Sequence, residues 1–288
     1  MTANPYLLYA RLIRRSYRRT IQILRWRQFG FRDSPILFAN SFPKSGTHLL
    51  TQVLQGFSNI GPAVNCGLPA IVTFSSQSGK QRPNQQILTD LRRLLPGDIS
   101  YGHLHAIPEV VNFLSKENWV ACFILRDPRD VVISHVYYVT EMEPQHIHHH
   151  YYAQVLKTFD DRLRTSILGR QDIDFPFPNI RDRFDPYLGW MNCPDLLSLR
   201  FEDFLADQPG TIGKIVDHAV ARGFPLRVER QKAVKQLQTH IDPKRSPTFR
   251  SGKAGGWRQA FSEENKEIFK DVAGDLLIQL GYEENDQW

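Results

Sequence analysis

Apolar residues fall in short blocks, and the first two are strand-sized. Ile36-Leu37-Phe38-Ala39, after Pro35, and Trp119 to Leu125 are continuous apolar runs of the length of a strand buried on both faces. Leu196 to Leu199 predicts a third, shorter strand. Between these runs the period changes. From Thr47 onward, Leu50, Val53, Leu54 and Phe57 share one helical face. Gly61 to Pro96 is rich in Gly, Pro, Ser and Gln and reads as loops, with a helix near Gln85 to Leu95. Asp127 and Pro128 have the chemistry of a helix N-cap and first turn, so a helix starts directly after the Trp119 run. Ile268, Val272, Leu276 and Leu280 recur every fourth position in a final helix from about Ser262 to Leu280, which Gly281 ends. Strands alternating with helices predict an α/β fold with a central, mainly parallel sheet flanked by helices.

The segment ahead of the first strand differs in kind. Residues 1 to 32 hold eight arginines (Arg11, Arg14, Arg15, Arg18, Arg19, Arg25, Arg27 and Arg32) and no acid, interleaved with Leu7, Leu8, Leu12, Ile13, Ile21, Ile23, Leu24 and Trp26. The whole chain carries +6, so the remainder carries −2. The high pI therefore belongs to the arm, and the near-neutral body argues against a nucleic-acid partner. A basic, loosely amphipathic helical arm over 1–33 is expected ahead of a domain over 34–285. Such an arm either lies peripherally on an anionic membrane or packs as a solvated helix on the domain edge. The chain has no apolar run of about 18 residues, so no transmembrane helix is expected, and it opens on no signal-peptide pattern. Cys66, Cys122 and Cys193 are odd in number and widely spaced, which suits neither a disulfide framework nor a zinc site. A reducing, cytoplasmic setting is the expectation.

Two segments carry candidate chemistry. Pro43-Lys44-Ser45-Gly46-Thr47-His48 joins the first strand to a helix. Unpaired backbone N–H groups and the helix dipole make such a junction a phosphate site. Gly46 permits close approach, and Lys44 adds a full charge. The junction is P-loop-like without being a kinase P-loop, because G-x-x-x-x-G-K-[ST] is absent and the lysine precedes the glycine. The plain alternative is a tight turn. The Trp119 run ends in Arg126-Asp127-Pro128-Arg129-Asp130, with Ser134 a helical turn further on. Arg126 offers a forked, charge-assisted contact and Ser134 a hydroxyl to one phosphate. Both segments lie at carboxyl ends of strands, where open α/β sheets bind ligands. The alternative here is an Arg–Asp surface pair beside a helix cap.

With a third segment, Arg250-Ser251-Gly252-Lys253-Ala254-Gly255-Gly256-Trp257, the chain resembles the sulfotransferases that use 3′-phosphoadenosine 5′-phosphosulfate (PAPS). Their first motif, P-K-S-G-T-T-W, is matched by Pro43 to Thr47. Their second pairs an Arg and a Ser eight residues apart, as Arg126 and Ser134 are. Their third, R-K-G-x-x-G-x-W, is matched at Arg250, Gly252, Gly255 and Trp257. The resemblance covers residues 36 to 258. It implies that Lys44, Ser45, Gly46, Thr47 and His48 cradle the 5′-phosphosulfate, and that Arg126 and Ser134 take the 3′-phosphate, with Arg250, Ser251 and Gly252 also at the donor. It departs at Leu49, where the family has its adenine-stacking Trp, and at Phe201, where many members have Tyr. It further implies a sulfuryl transfer from PAPS to a hydroxyl or amine of a small-molecule acceptor, with Lys44 stabilising the leaving phosphate oxygen. The family's catalytic His sits about two dozen residues before the motif Arg, which favours His103 over His105 as the base. No metal is expected, since lysine, arginines and backbone dipoles supply the positive charge. The alternative is a P-loop-type phosphotransferase acting on a nucleotide or small molecule. His146, His148, His149 and His150 read as a mobile segment near the acceptor pocket, the alternative for such a run being a metal site whose spacing fits no closed structural type, and Trp190 and Phe175-Pro176-Phe177-Pro178 read as core packing, the alternative being a pocket lining.

Overall fold

The computed structural model describes residues 5–26, 31–75, 79–172, 176–246, 248–250 and 252–288. Its strands are β1 (Ile36–Ser41), β2 (Val64–Asn65), β3 (Ile71–Val72), β4 (Asp98–His103), β5 (Trp119–Leu125) and β6 (Leu197–Arg200). They form one parallel sheet in the order β2-β4-β1-β5-β6, with β3 also on β4. Every residue of β1 and β5 is buried, as continuous apolar runs in the middle of a parallel sheet should be. The Leu196 run forms a strand one residue later than its apolar limits suggest.

Helices flank both faces: α1 (Pro5–Arg25), α2 (Thr47–Gly56), α3 (Asn84–Arg92), α4 (Pro108–Leu114), α5 (Pro128–Tyr137), α6 (Phe159–Leu168), α7 (Ile180–Leu188), α8 (Phe201–Ala206), α9 (Gln208–Ala221), α10 (Arg230–His240), α11 (Trp257–Ala260) and α12 (Glu263–Gln279). The pleat of β5 divides the core in two. Trp119, Ala121, Phe123 and Leu125 face α3 to α7 and α12, while Val120, Cys122 and Ile124 face α2, α9 and α10. Asp127 caps α5 as its chemistry predicts, accepting from the Arg129 N–H (2.9 Å), and α12 begins where expected, with Ser262 accepting from the Asn265 N–H (3.2 Å). Gly281 ends α12 at φ +68, although the helix departs from helical backbone at Ala273.

Among the elements the sequence pattern did not predict, strand β4 matters most to the site. Asp98-Ile99-Ser100-Tyr101-Gly102-His103 is too polar to read as a buried strand, yet Asp98 is fully buried. Its carboxylate is answered from the arm. Arg15, itself buried, pairs with it, and Arg19 reaches it (3.4 Å) and the Pro96 carbonyl (2.7 Å). The Leu95 N–H adds a further hydrogen bond to Asp98 (2.8 Å). The basic arm thus docks through its arginines. No helix among the described residues is long and apolar enough to cross a membrane.

Candidate active site

The turn between β1 and α2 is held in an unusual backbone. Lys44 (φ +69) and Gly46 (φ +96) both occupy the left-handed region. A Cβ on Gly46 would lie 2.8 Å from Phe201 Cδ2, so glycine is required there for space as well as conformation. Gly46 is the N-cap of α2 and offers no side-chain cap, which leaves first-turn N–H groups without intrahelical acceptors. The Ser45 hydroxyl is buried and, among the described residues, has no hydrogen-bond partner, a donor of the kind a bound oxyanion satisfies.

Beside this turn, the end of β4 presents His103. Its Nδ1 lies 3.0 Å from the Ser41 carbonyl and 3.1 Å from the Ser41 hydroxyl, which is in turn 2.8 Å from Thr47 Oγ1. A carbonyl only accepts, so the proton sits on Nδ1 and Nε2 keeps its lone pair. Burial first, and then the charges of His48 and Lys44, hold the imidazole below its ordinary pKa, against the raising effect of the Ser41 hydrogen bond. Leu104, next in the chain, is clamped by three hydrogen bonds. Asn40 Nδ2 and Trp190 Nε1 donate to its carbonyl (3.0 and 2.7 Å), and its N–H donates to Asn40 Oδ1 (2.8 Å). Trp190 is therefore core, as expected, with its polar atom employed next to His103. His105 instead packs against Phe74 and Tyr187 (5.3 and 4.7 Å between ring centres) and does not line the cleft, and burial lowers its pKa to about 4.

One cleft of about 610 Å³ is lined by Lys44, Gly46, Thr47, His48, His103, Arg126, Ser134, Arg250 and Gly252. Ser45, between Lys44 and Gly46 in the chain, is fully buried and does not line it, and Ser251 falls outside the described residues. Leu49 and Phe201 also line the cleft, the Phe201 ring carrying the Arg126 guanidinium 4.8 Å from its centre. Lys44 Nζ rests 4.0 Å over the Tyr138 ring, and burial, with Arg126 and Arg250 nearby, lowers its pKa to about 8. Tyr138 was not foreseen from the sequence, because nothing in its neighbourhood marks it apart from other aromatics.

The two arginines of the Arg126-to-Asp130 segment divide the work. Arg126 donates to the Lys253 carbonyl (2.7 Å) and pairs with Asp130 (3.4 Å) at the cleft wall. Asp130 is buried and Arg126 half-buried, unlike the surface pair a bare Arg–Asp spacing suggests. Asp130 also accepts from the Gly255 and Trp257 N–H groups (2.7 and 3.1 Å), which ties the Arg250-to-Trp257 segment to α5. Arg129 is structural. It chelates Asp127 (3.0 and 2.7 Å), reaches Glu283 (2.6 Å) and lies 3.7 Å from the centre of the Trp257 ring.

The histidine-rich segment is packed where a mobile one was expected. His148 is buried against Phe177 (4.6 Å between ring centres), and His149 Nδ1 donates to the Val139 carbonyl (2.7 Å). His146 and His148 gather with His135 of α5, one nitrogen from each within 4.8 Å of the others. Phe175 lies outside the described residues.

A sulfotransferase-domain model matches residues 35–281, and the chain belongs to that family. This membership decides against the phosphotransferase alternative. Solved structures share the fold. Retinol dehydratase, in complex with androsterone and the inactive cofactor PAP (3′-phosphoadenosine 5′-phosphate), is 17% identical at a TM-score of 0.56, over 86% of this chain and 83% of that one. Mouse sulfotransferase SULT7A1, complexed with PAP, is 19% identical at 0.55, over 91% and 92%. No curated protein matches the sequence.

Proposed function

We propose that this sulfotransferase uses PAPS as sulfuryl donor and a small molecule bearing a hydroxyl or amine as acceptor, with His103 as general base and Lys44 at the leaving oxygen. The reading treats residues 34–285 as the catalytic domain and 1–33 as an arm. The observation that carries it is the convergence of Lys44, Arg126, Ser134, Arg250 and His103 on one cleft, although they span more than 200 positions of the chain. The two structural neighbours each carry PAP, and one of them androsterone, a small acceptor-sized molecule.

The chemistry follows from the charges. Sulfuryl transfer resembles in-line phosphoryl transfer, in which positioning and positive charge supply most of the catalysis. The acceptor's O–H or N–H proton passes to the His103 Nε2 lone pair as its heteroatom bonds to sulfur. The bond from sulfur to the phosphate oxygen breaks, and that oxygen's growing charge meets Lys44. His103 stays neutral and ready because burial depresses its pKa. The unpartnered Ser45 hydroxyl, the first-turn N–H groups of α2, Arg126, Ser134 and the Arg250 segment suit the donor's phosphates. Peripheral membrane contact, the other proposal for the arm, involves a different surface and leaves this chemistry unchanged.

Calorimetry with PAP, AMP and ATP tests the reading. PAP binding far more tightly than AMP is the expected result. Equal affinity, or a preference for ATP, would remove the PAPS assignment.

A further inference from the structure

Helix α1 shows its apolar side to solvent and its basic side to the protein. Tyr6, Tyr9, Ile13, Tyr17, Ile21 and Leu24 recur three or four positions apart, which places them on one helical face. They are between 44% and 82% exposed. The opposite side is committed to the domain through Arg15 and Arg19 on Asp98. Along the flank between these two sides, Arg11, Arg14 and Arg18 form a second ridge at the same spacing. They overhang a polar cavity of about 390 Å³ whose wall includes Thr51, Gln55 and Ser100 and no carboxylate. Among the described residues none of these three arginines has an ion pair, in contrast to Arg15 and Arg19.

A soluble helix buries its apolar stripe and solvates its charges. Here the buried ion pair with Asp98 holds the helix the other way up, so the stripe stays uncovered. A stripe rich in tyrosine, bordered by unanswered arginines on a helix about 31 Å long, has the composition of an interfacial helix. A second copy of the chain fits poorly. Residues 1–32 carry eight arginines and no acid, so joining two stripes would bring rows of like charge together.

We propose that α1 seats the protein on an anionic lipid bilayer, with Tyr9, Ile13, Tyr17, Ile21 and Leu24 at the acyl boundary and Arg11, Arg14 and Arg18 on lipid phosphates. The buried pair with Asp98 fixes the domain's orientation on that surface. Lipid binding of this kind needs no PAPS and stands whether or not the acceptor and donor assignments hold.

Sedimentation of the full chain with vesicles tests it, using phosphatidylcholine alone and phosphatidylcholine mixed with phosphatidylglycerol. Partition onto the anionic vesicles is expected to be about a hundredfold stronger, from three arginines near the surface, and to weaken at high salt. The triple variant Arg11→Gln, Arg14→Gln, Arg18→Gln should lose that preference. The double variant Ile13→Ser, Tyr17→Ser should lose partition at low salt. Both should keep the wild-type affinity for PAP, a check that the domain is folded whatever that affinity is. Equal partition onto the two vesicle types, no partition at all, or a triple variant that behaves as wild type would overturn the proposal. So would a stable dimer in analytical ultracentrifugation that Ile13→Ser, Tyr17→Ser dissolves, which would assign the stripe to a second copy.

Discussion

The cleft and the arm both concentrate positive charge, and they differ in what answers it. At the foot of the arm, Asp98 is fully buried and takes Arg15 and Arg19, so the charge is neutralised inside the protein and holds two elements together. In the cleft, Lys44 has, among the described residues, the face of Tyr138 and no carboxylate, and Arg250 stacks on Tyr137 (4.2 Å). Arg126 shares Asp130 with the backbone of the Gly255 turn. Crowding a half-buried Lys44 against Arg126 and Arg250 without a full complement of carboxylates is unfavourable in the empty protein, and burial with those two neighbours lowers the Lys44 pKa. An anion that enters relieves the mutual repulsion. Internal ion pairs therefore mark where this chain is held together, and unanswered cations mark where it binds.

Substitutions in each region can break or sharpen that contrast. The largest effect is expected from His103→Ala, which should lower turnover by about 10²–10⁴-fold with PAP affinity nearly intact, since the imidazole acts on the acceptor's proton. Wild-type turnover in this variant would remove His103 as base. Asp98→Ala should come next, in stability alone. Leaving Arg15 buried without its partner costs about 3–5 kcal/mol, read in thermal or urea unfolding. Asp98 opens β4 and His103 closes it, so the affinity of the surviving folded protein for PAP should not move. A large change would show that the two charged regions are coupled. Arg126→Ala should weaken PAP binding by about 2 kcal/mol in calorimetry, through loss of a charged hydrogen-bond partner. Ser134→Ala, a neutral hydroxyl, should cost about 1 kcal/mol in the same measurement.

The pH profile of kcat/KM is the finest probe. The base must be neutral, and His103 titrates below 6.5 in the folded protein, so activity should fall only as the pH drops below that value. Lys44 must be charged, and it loses its proton at about 8, so activity should fall again above that pH. An acid limb at or above 6.5 would point away from His103 in this environment. An alkaline limb near the ordinary lysine value would mean that the cleft's cations do not crowd Lys44.

Periodicity along the chain was enough for β1, β5, α2 and α12, because a strand buried on both faces and an amphipathic helix each leave their period in the sequence. Local chemistry was enough for the Asp127 cap and for the loop that holds Lys44 and Gly46. Three short motifs in order identified the family. What the sequence could not determine is non-local. Strand β4 is legible only once Arg15 of a distant helix is seen neutralising Asp98. His103 is separated from His105 by the direction each takes from the end of β4, and its tautomer is set by a carbonyl on β1. The packing of His146 and His148 against α5 and Phe177 depends on contacts that no local pattern encodes. Most clearly, the sequence shows that the arm is basic and apolar at once. Only the folded chain decides that Arg15 and Arg19 turn inward and the tyrosines outward, because one buried carboxylate sets the rotation of the whole helix.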